Sequence, residues 1–210
     1  RSSHEVVNIN KAKVKELSEN TIVHSLAELF QGIWKENSPI TPKTFKEVIG
    51  KSNDEFKGYG QNDSQELLNA ILDGIHEETK ANVKVIFPNV PQEIKEYVQK
   101  KQEYADIINS PDTSLEDKEK YILEYTKFKK EQMKNAIISS SYVYWKKYVE
   151  KSHSIITDLF TGIYYSKITC KDCGNITGSF ESFTMLQLPT KEDGETSLDE
   201  ALNEFTKPEM

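Results

Sequence analysis

Between Ser25 and Lys35, Leu26, Leu29, Phe30, Ile33 and Trp34 fall three or four residues apart, the repeat that gathers side chains on one face of an α-helix. Asn37-Ser38-Pro39 stops it. A second helix is expected from Thr41-Pro42, with Thr41 as N-cap and Pro42 at the first helical position, where a missing N–H costs nothing. Phe45, Val48 and Ile49 form its apolar side and Gly50 its stop. After a loop over 52–62 that contains Gly58-Tyr59-Gly60, the third pattern is the most regular: Leu67, Leu68, Ile71, Leu72 and Ile75 share a face. Asp63 is placed to cap that helix and Glu66, three residues on, to reach back to the cap. This helix is expected to pack against the first two. The segment from Arg1 to Glu19 is polar with no strong period.

Residues 81–141 change character, being rich in Lys, Glu and Tyr. Helical stretches are expected near Pro91–Ile108 and Ser114–Ile138, with Ser110-Pro111 between them and Thr113 with Glu116 as a capping box. The plainest reading is a charged helical hairpin on the surface. Beyond Trp145, the run Ser154-Ile155-Ile156-Thr157-Asp158-Leu159-Phe160 leads into β-prone sequence on both sides of a Cys-x-x-Cys turn: Ile163, Tyr164, Tyr165 and Ile168 before it, and Ile176, Thr177, Phe180 and Phe183 after it. Met185–Pro189 alternates like a further strand, and Ser197-Leu198-Asp199-Glu200 opens a short helix. Phe180, Phe183, Tyr164 and Tyr165 read as core or sheet-face residues, Trp34 and Trp145 as packing anchors, and His76 and His153 as surface or helix-end histidines.

Composition narrows the classes. With 210 residues the chain is long enough for one domain with a sizeable core. A charged content of 29% and no apolar run of spanning length argue against a membrane protein, and no signal peptide is visible. A net charge of −7 argues against nucleic acid and suits a basic partner. Cys170 and Cys173 are the two cysteines of the chain, which points to a reducing compartment. Set on one turn between strands, they read as half of a zinc ribbon, since structural zinc takes four ligands. They are poor candidates for a nucleophile, because a reactive thiol needs a base or an electropositive niche and Lys171 alone offers little.

Three segments, in order, resemble the ubiquitin-specific proteases, a family of cysteine deubiquitinases. Phe56-Lys57-Gly58-Tyr59-Gly60-Gln61-Asn62-Asp63-Ser64-Gln65-Glu66-Leu67-Leu68, running on to Leu72-Asp73-Gly74-Ile75-His76-Glu77-Glu78, is similar to a box of that family, with Asn62 where Gln is commoner. Ser154–Gly162 is similar to a second, and Cys170-Lys171-Asp172-Cys173-Gly174 through Phe183 to Leu186-Gln187-Leu188-Pro189 to a third. The resemblance covers roughly 22–80 and 142–205, and the charged stretch falls where the family tolerates insertions.

The resemblance implies an α+β, papain-like cysteine protease fold of the ubiquitin-specific protease type, incomplete here. Residues 1–158 would be a helical, thumb-like part with the insertion at about 81–141, and 159–210 the start of the β-rich fingers and palm. It implies a deubiquitinase that hydrolyses isopeptide and peptide bonds after the C-terminal glycine of ubiquitin. Ubiquitin and ubiquitinated proteins would be its partners, with no nucleic acid or membrane, in the cytoplasm or nucleus. Gln61, Asp63, Gln65 and Glu66 would contact ubiquitin's arginine-bearing tail, and Cys170 and Cys173 would hold a structural zinc ion with ligands from elsewhere. The family's nucleophile and base are not matched by any residue here, so this chain, which starts at Arg1, is expected to be an interior piece that is inactive alone. The alternatives are a non-catalytic ubiquitin-binding pseudoenzyme or scaffold on the same fold, and an unrelated helical protein carrying a zinc-ribbon module.

Overall fold

The computed structural model describes residues 5–8, 20–35, 39–191 and 194–209. The chain is mixed helix and strand and divides into two compact units, Arg1–Leu159 and Phe160–Met210.

The first unit opens its helical part with α1 (Ile22–Lys35), α2 (Lys43–Ser52), a short 3-10 turn (Asp54–Phe56) and α3 (Ser64–Thr79). Ile22, Val48, Ile49 and Phe56 are buried together, with Phe45, Leu67, Ala70, Ile71 and Ile75 packed around them. Burial of this apolar surface is the main force holding the helices together. The end of α3 also closes the start of α1: Ile22 and Val23 donate their N–H groups to the two carboxylate oxygens of Glu78, at 2.7 and 2.9 Å. A carboxylate suits a helix N-terminus because unpaired N–H groups and the helix dipole are both positive there. Gly74 lets the two helices approach, since a Cβ there would stand 2.3 Å from Ile22 Cδ1.

Several expectations for these helices need correction. The α1 stripe is buried only at its start. Phe30, Ile33 and Trp34 are exposed, and Trp34, at 83% exposure, stacks on Phe30 and is no packing anchor. Pro42, not Thr41, stands at the cap position of α2 and has no side chain to cap with. Gly50 does not end α2 but continues it, packed against the Phe56 carbonyl and Lys57.

The rest of the first unit holds β1 (Glu5–Asn8), β2 (Val83–Ile86), α4 (Gln92–Asn109), α5 (Leu115–Glu131), α6 (Met133–Lys151) and the start of α7 (Ile155–Phe160). The strands β1 and β2 pair antiparallel, Glu5 opposite Ile86 and Asn8 opposite Val83. Neither was visible in a sequence scan dominated by charge. Val83, Val85 and Val149 form a second core with Phe87, Trp145 and Tyr148, so Trp145 does anchor packing. The expected hairpin is three helices, broken at Gln132. They meet along an aromatic seam in which Tyr97 stacks on Phe128 at 5.4 Å and Tyr104 lies 5.7 Å from both Tyr125 and Phe128. Burial, then Tyr125, pushes the Tyr97 hydroxyl up to about 12. The capping box expected at Thr113 and Glu116 does not form, and the cap is Ser114. Ser114 accepts from the Asp117 N–H at 3.1 Å, while the Thr113 hydroxyl donates to the Ile107 carbonyl at 2.9 Å and closes α4.

His76, near the end of α3, ties that helix to the segment before α7. Ser154 Oγ receives the N–H groups of Ile156 and Thr157 at 3.2 and 3.3 Å, which occupies its two lone pairs. Ser154 Oγ also lies 2.7 Å from His76 Nδ1 and 3.4 Å from Thr157 Oγ1, and His76 Nε2 lies 2.9 Å from Ser152 Oγ.

The second unit contains β3 (Gly162–Thr169), β4 (Ile176–Phe183) and α8 (Leu198–Phe205). The hairpin pairs Gly162 with Phe183 and Thr169 with Ile176. Tyr165 and Phe180 meet at 4.9 Å on one face, and Tyr164 meets Phe183 and Phe205 on the other, which joins α8 to the sheet. These aromatics are half-buried sheet-face residues, as their alternation suggests. Gly178 leaves room for the Tyr165 ring, which a Cβ would meet at 2.4 Å. The stretch Met185–Pro189 forms no strand, because alternation alone does not supply a ladder partner.

Candidate functional site

The chemistry-bearing surface of the first unit lies between the 3-10 turn and the first turn of α3. The 3-10 turn is anchored by Phe56, which is buried, and capped by Asn53, whose side chain accepts from the Glu55 N–H at 3.0 Å. Beyond Phe56 the chain is open to solvent from Lys57 to Glu66. The loop is nonetheless fixed. Lys57 N–H donates to the Asp54 carbonyl at 3.1 Å, and Asn62 Nδ2 to the Glu55 carbonyl at 3.1 Å. Gly58, at φ +76°, makes the turn that a side chain would strain.

Of the four residues expected to bind a peptide tail, Asp63 has a local role. Its Oδ1 accepts from the Gln65 and Glu66 N–H groups at 2.6 and 3.3 Å and caps α3. The reverse half of the expected capping box does not form: the Glu66 side chain makes no bond to Asp63, and it has no partner among the described residues. The side chains of Gln61 and Gln65 are exposed and likewise unbonded among the described residues. Gln61, Asp63, Gln65 and Glu66 therefore stand within six residues on one exposed corner, with a carboxylate and two amides uncommitted. Such a corner can accept hydrogen bonds from a cationic or amide-rich ligand, and a guanidinium would gain most from it.

Sequence reasoning missed two residues at this corner. Lys46 of α2 lies with Nζ 3.6 Å from the Tyr59 ring centroid and donates to the Gly58 carbonyl. Tyr59 itself is 97% exposed. An aromatic between two glycines in a polar loop has little to pack against, and that was the available signal. Nothing in the sequence marked Lys46.

In the second unit, Cys170 and Cys173 sit on the tip of the β3–β4 hairpin. Cys170 N–H donates to the Asn175 carbonyl at 2.8 Å, Gly174 N–H donates to the Cys170 carbonyl at 3.0 Å, and Gly174 takes φ +66°. Both thiols are free and exposed. The backbone N–H groups of Cys173 and Asp172, then the Cys173 thiol, hold the Cys170 thiol below its ordinary range. A turn that favours thiolate and presents two sulfurs together fits half of a tetrahedral metal set. Among the described residues no group of three or more His, Cys, Asp or Glu side chains could hold a metal ion. The same unit has a cleft of about 490 Å³ between the Pro189–Lys191 stretch and α8, where Lys191 pairs with Glu200 at 3.2 Å and Lys207 with Glu204.

No helix among the described residues is long and apolar enough to cross a membrane. Residues 3–191 match the family model for ubiquitin carboxyl-terminal hydrolase. Over 178 residues, 82% of the chain, it is 30% identical to a probable ubiquitin carboxyl-terminal hydrolase of Acanthamoeba polyphaga mimivirus. It is 30% identical over 191 residues (89% of the chain) to ubiquitin carboxyl-terminal hydrolase 15 of Bos taurus, and 30% identical over 193 residues (90%) to ubiquitin carboxyl-terminal hydrolase 2 of Homo sapiens. The chain spans 37%, 16% and 26% of the lengths of these three relatives.

Proposed function

This chain belongs to the ubiquitin carboxyl-terminal hydrolase family, as a ubiquitin-specific protease, and from that premise we propose that the whole protein is a thiol-dependent deubiquitinase. It hydrolyses isopeptide and peptide bonds after the terminal glycine of ubiquitin, inside the cell, on ubiquitin and ubiquitinated proteins. The fold is the papain-like one of that protease type. Residues 1–158 serve as a thumb-like part with the insertion at about 81–141, and 159–210 as the start of the fingers and palm. Family membership removes the unrelated helical protein from consideration.

The observation that carries the reading is the open corner from Gln61 to Glu66, where the Glu66 carboxylate has no partner among the described residues although its spacing from Asp63 would let it close a capping box. In this reading Glu66 and the second oxygen of Asp63 accept charge-assisted hydrogen bonds from an arginine of the tail, and Gln61 and Gln65 hold its backbone. Asp63 keeps the corner rigid by capping α3 at the same time. Binding of this kind holds the scissile bond in register for the covalent step, which converts loose encounter into orientation. In this reading the two exposed thiols of the hairpin tip are metal ligands and not the nucleophile, and no residue of this chain is assigned a catalytic role.

Cys170 and Cys173 would provide two ligands of a structural zinc ion, the others coming from the rest of the protein. Zinc would supply a crosslink at the hairpin tip and take no part in hydrolysis. The two peptide N–H groups at Cys170 Sγ ready that sulfur for the metal by favouring its thiolate.

Turnover of a fluorogenic substrate built on the ubiquitin C-terminus tests the proposal. The whole protein is expected to release the fluorophore and the 210-residue chain is not. Turnover by the chain alone would refute the reading that none of its residues is catalytic. A whole protein that binds ubiquitin without turnover would instead be the non-catalytic scaffold.

A further inference from the structure

The middle helix of the charged insertion, α5, is held from one side. Tyr125 and Phe128 meet the rings of α4, and Lys118 and Tyr121 on the same side are half-buried. No residue of α5 is fully buried. On the opposite side, at 3.6 residues per turn, Glu116, Glu119, Leu123, Lys127 and Lys130 fall within about a quarter of the helix circumference. All five are exposed. Leu123, 71% exposed, stands at the middle of this stripe, and the exposed Leu115 and Ile122 flank it.

The stripe has its charges sorted, acids before Leu123 and bases after it. The helix dipole accounts for Glu116 in the first turn and Lys130 in the last. Glu119 and Lys127 stand inside those turns, where the dipole has faded. Nor are these charges consumed within the helix. On α4, Gln92 bonds Glu96 at 3.1 Å, Lys100 bonds Glu103 at 2.8 Å and Gln102 bonds Asp106 at 2.6 Å. On the α5 stripe, Glu116, Glu119 and Lys130 have no partner among the described residues, and Lys127 reaches Glu131 at 4.0 Å. A wholly acidic ligand would meet the glutamates and a wholly basic one the lysines, so neither fits. What fits is the same stripe reversed. Glu119 and Lys127 each lie four residues from Leu123, and Glu116 and Lys130 each lie seven. A two-fold axis through Leu123 lays a second α5 antiparallel on the first, with Leu123 on Leu123, Glu119 on Lys127 and Glu116 on Lys130. Each ion pair then forms twice. The opposed helix dipoles favour the same arrangement.

We propose that the outward face of α5 is an interface between two copies of this protein, packed antiparallel about Leu123, with Glu119–Lys127 and Glu116–Lys130 ion pairs on either side of that apolar centre. The charge complementarity of the stripe with its own reverse carries the proposal, which is independent of the tail-binding reading. A helix of 17 residues is about 25 Å long, and a single pair of that length buries less than a standard interface. The association is therefore weak and reversible, and the charges set its register more than its strength.

The test is sedimentation velocity of the whole protein over a range of concentrations up to about 0.5 mM. A dimer is expected to grow in as the concentration rises. Glu119→Lys and Lys127→Glu are each expected to weaken it tenfold or more, since each brings like charges together twice. An equal mixture of these two variants is expected to regain dimers within about threefold of the parent affinity, one copy of each, because every reversed charge then meets its opposite. The double variant Glu119→Lys/Lys127→Glu keeps the pattern with its signs exchanged and is expected to dimerise like the parent. It also checks that both positions tolerate the change. Misfolding of a single variant could not be repaired by mixing, so the mixture separates a lost interface from a lost fold. A protein that stays monomeric at the highest concentration would overturn the proposal. So would a dimer indifferent to both single reversals, or reversals that neither mixing nor the double exchange rescues.

Discussion

The N-termini of α3 and α8 carry the same four-residue grammar and use it differently. At α8, Ser197 accepts from the Glu200 N–H at 3.2 Å and Glu200 returns the bond to the Ser197 N–H at 3.0 Å, a closed capping box. Glu200 also pairs with Lys191, and these bonds, the backbone one first, hold its carboxyl below the usual range. At α3, Asp63 makes its half of the box and Glu66 does not make the other. One glutamate is spent on folding and the other is left over. A closed box is the cheaper local arrangement, so the open one singles out Glu66 as the acid available to a ligand.

The comparison can be broken most forcefully at Glu66 itself. In the whole protein, Glu66→Ala is expected to raise KM for ubiquitin substrates by about tenfold or more, the worth of one charge-assisted bond, while the melting temperature stays put. A lowered melting temperature with unchanged kinetics would make Glu66 another Glu200. The mirror variant, Glu200→Ala, should do the reverse, lowering the melting temperature with KM unmoved.

Asp63 separates the two roles within one residue. Asp63→Ala removes cap and charge and should cost about 1 kcal/mol of stability together with a raised KM. Asp63→Asn keeps an oxygen for the Gln65 and Glu66 N–H groups, so stability should survive while KM still rises. If the Asn variant binds like the parent, Asp63 is a cap and nothing more.

Acid sharpens the contrast by a smaller amount. Because the folded state depresses the Glu200 carboxyl, its contribution is complete at neutral pH and above the unfolded value, and is lost as the pH falls through the folded value. Acid titration monitored by melting temperature should show a component absent from Ser197→Ala, which breaks the box first. Added salt gives the smallest effect. KM should drift upward with ionic strength as the exposed tail contact is screened, and should do so less in Glu66→Ala.

How legible this was in the sequence depended on whether a residue's role was local. The α3 cap at Asp63 could be read because a cap is decided by neighbours two and three residues away. The unburied Trp34 could not, because periodicity gives a face and not what covers it. β2 was hidden because Val83 and Val85 alternate with Lys84 in a stretch whose composition spoke for helix, and their burial depends on Val149, far along the chain. Gln132, which divides α5 from α6, is an ordinary helix-former whose backbone is set by packing. At the candidate site, Gln61, Asp63, Gln65 and Glu66 were proposed from a family motif. The openness of Glu66 and the Lys46–Tyr59 pair needed coordinates, since both concern bonds made or withheld across space.

The Glu78 clamp on Ile22 and Val23 has a consequence for how the molecule comes into being. The clamp joins residues 55 and 56 apart, so it forms only after a loop of that length has been closed. During synthesis α1 leaves the ribosome before α2 and α3, yet its leading N–H groups wait for the last turn of α3 to be made. The helix of these three that is synthesised first is thus the last of them to be finished.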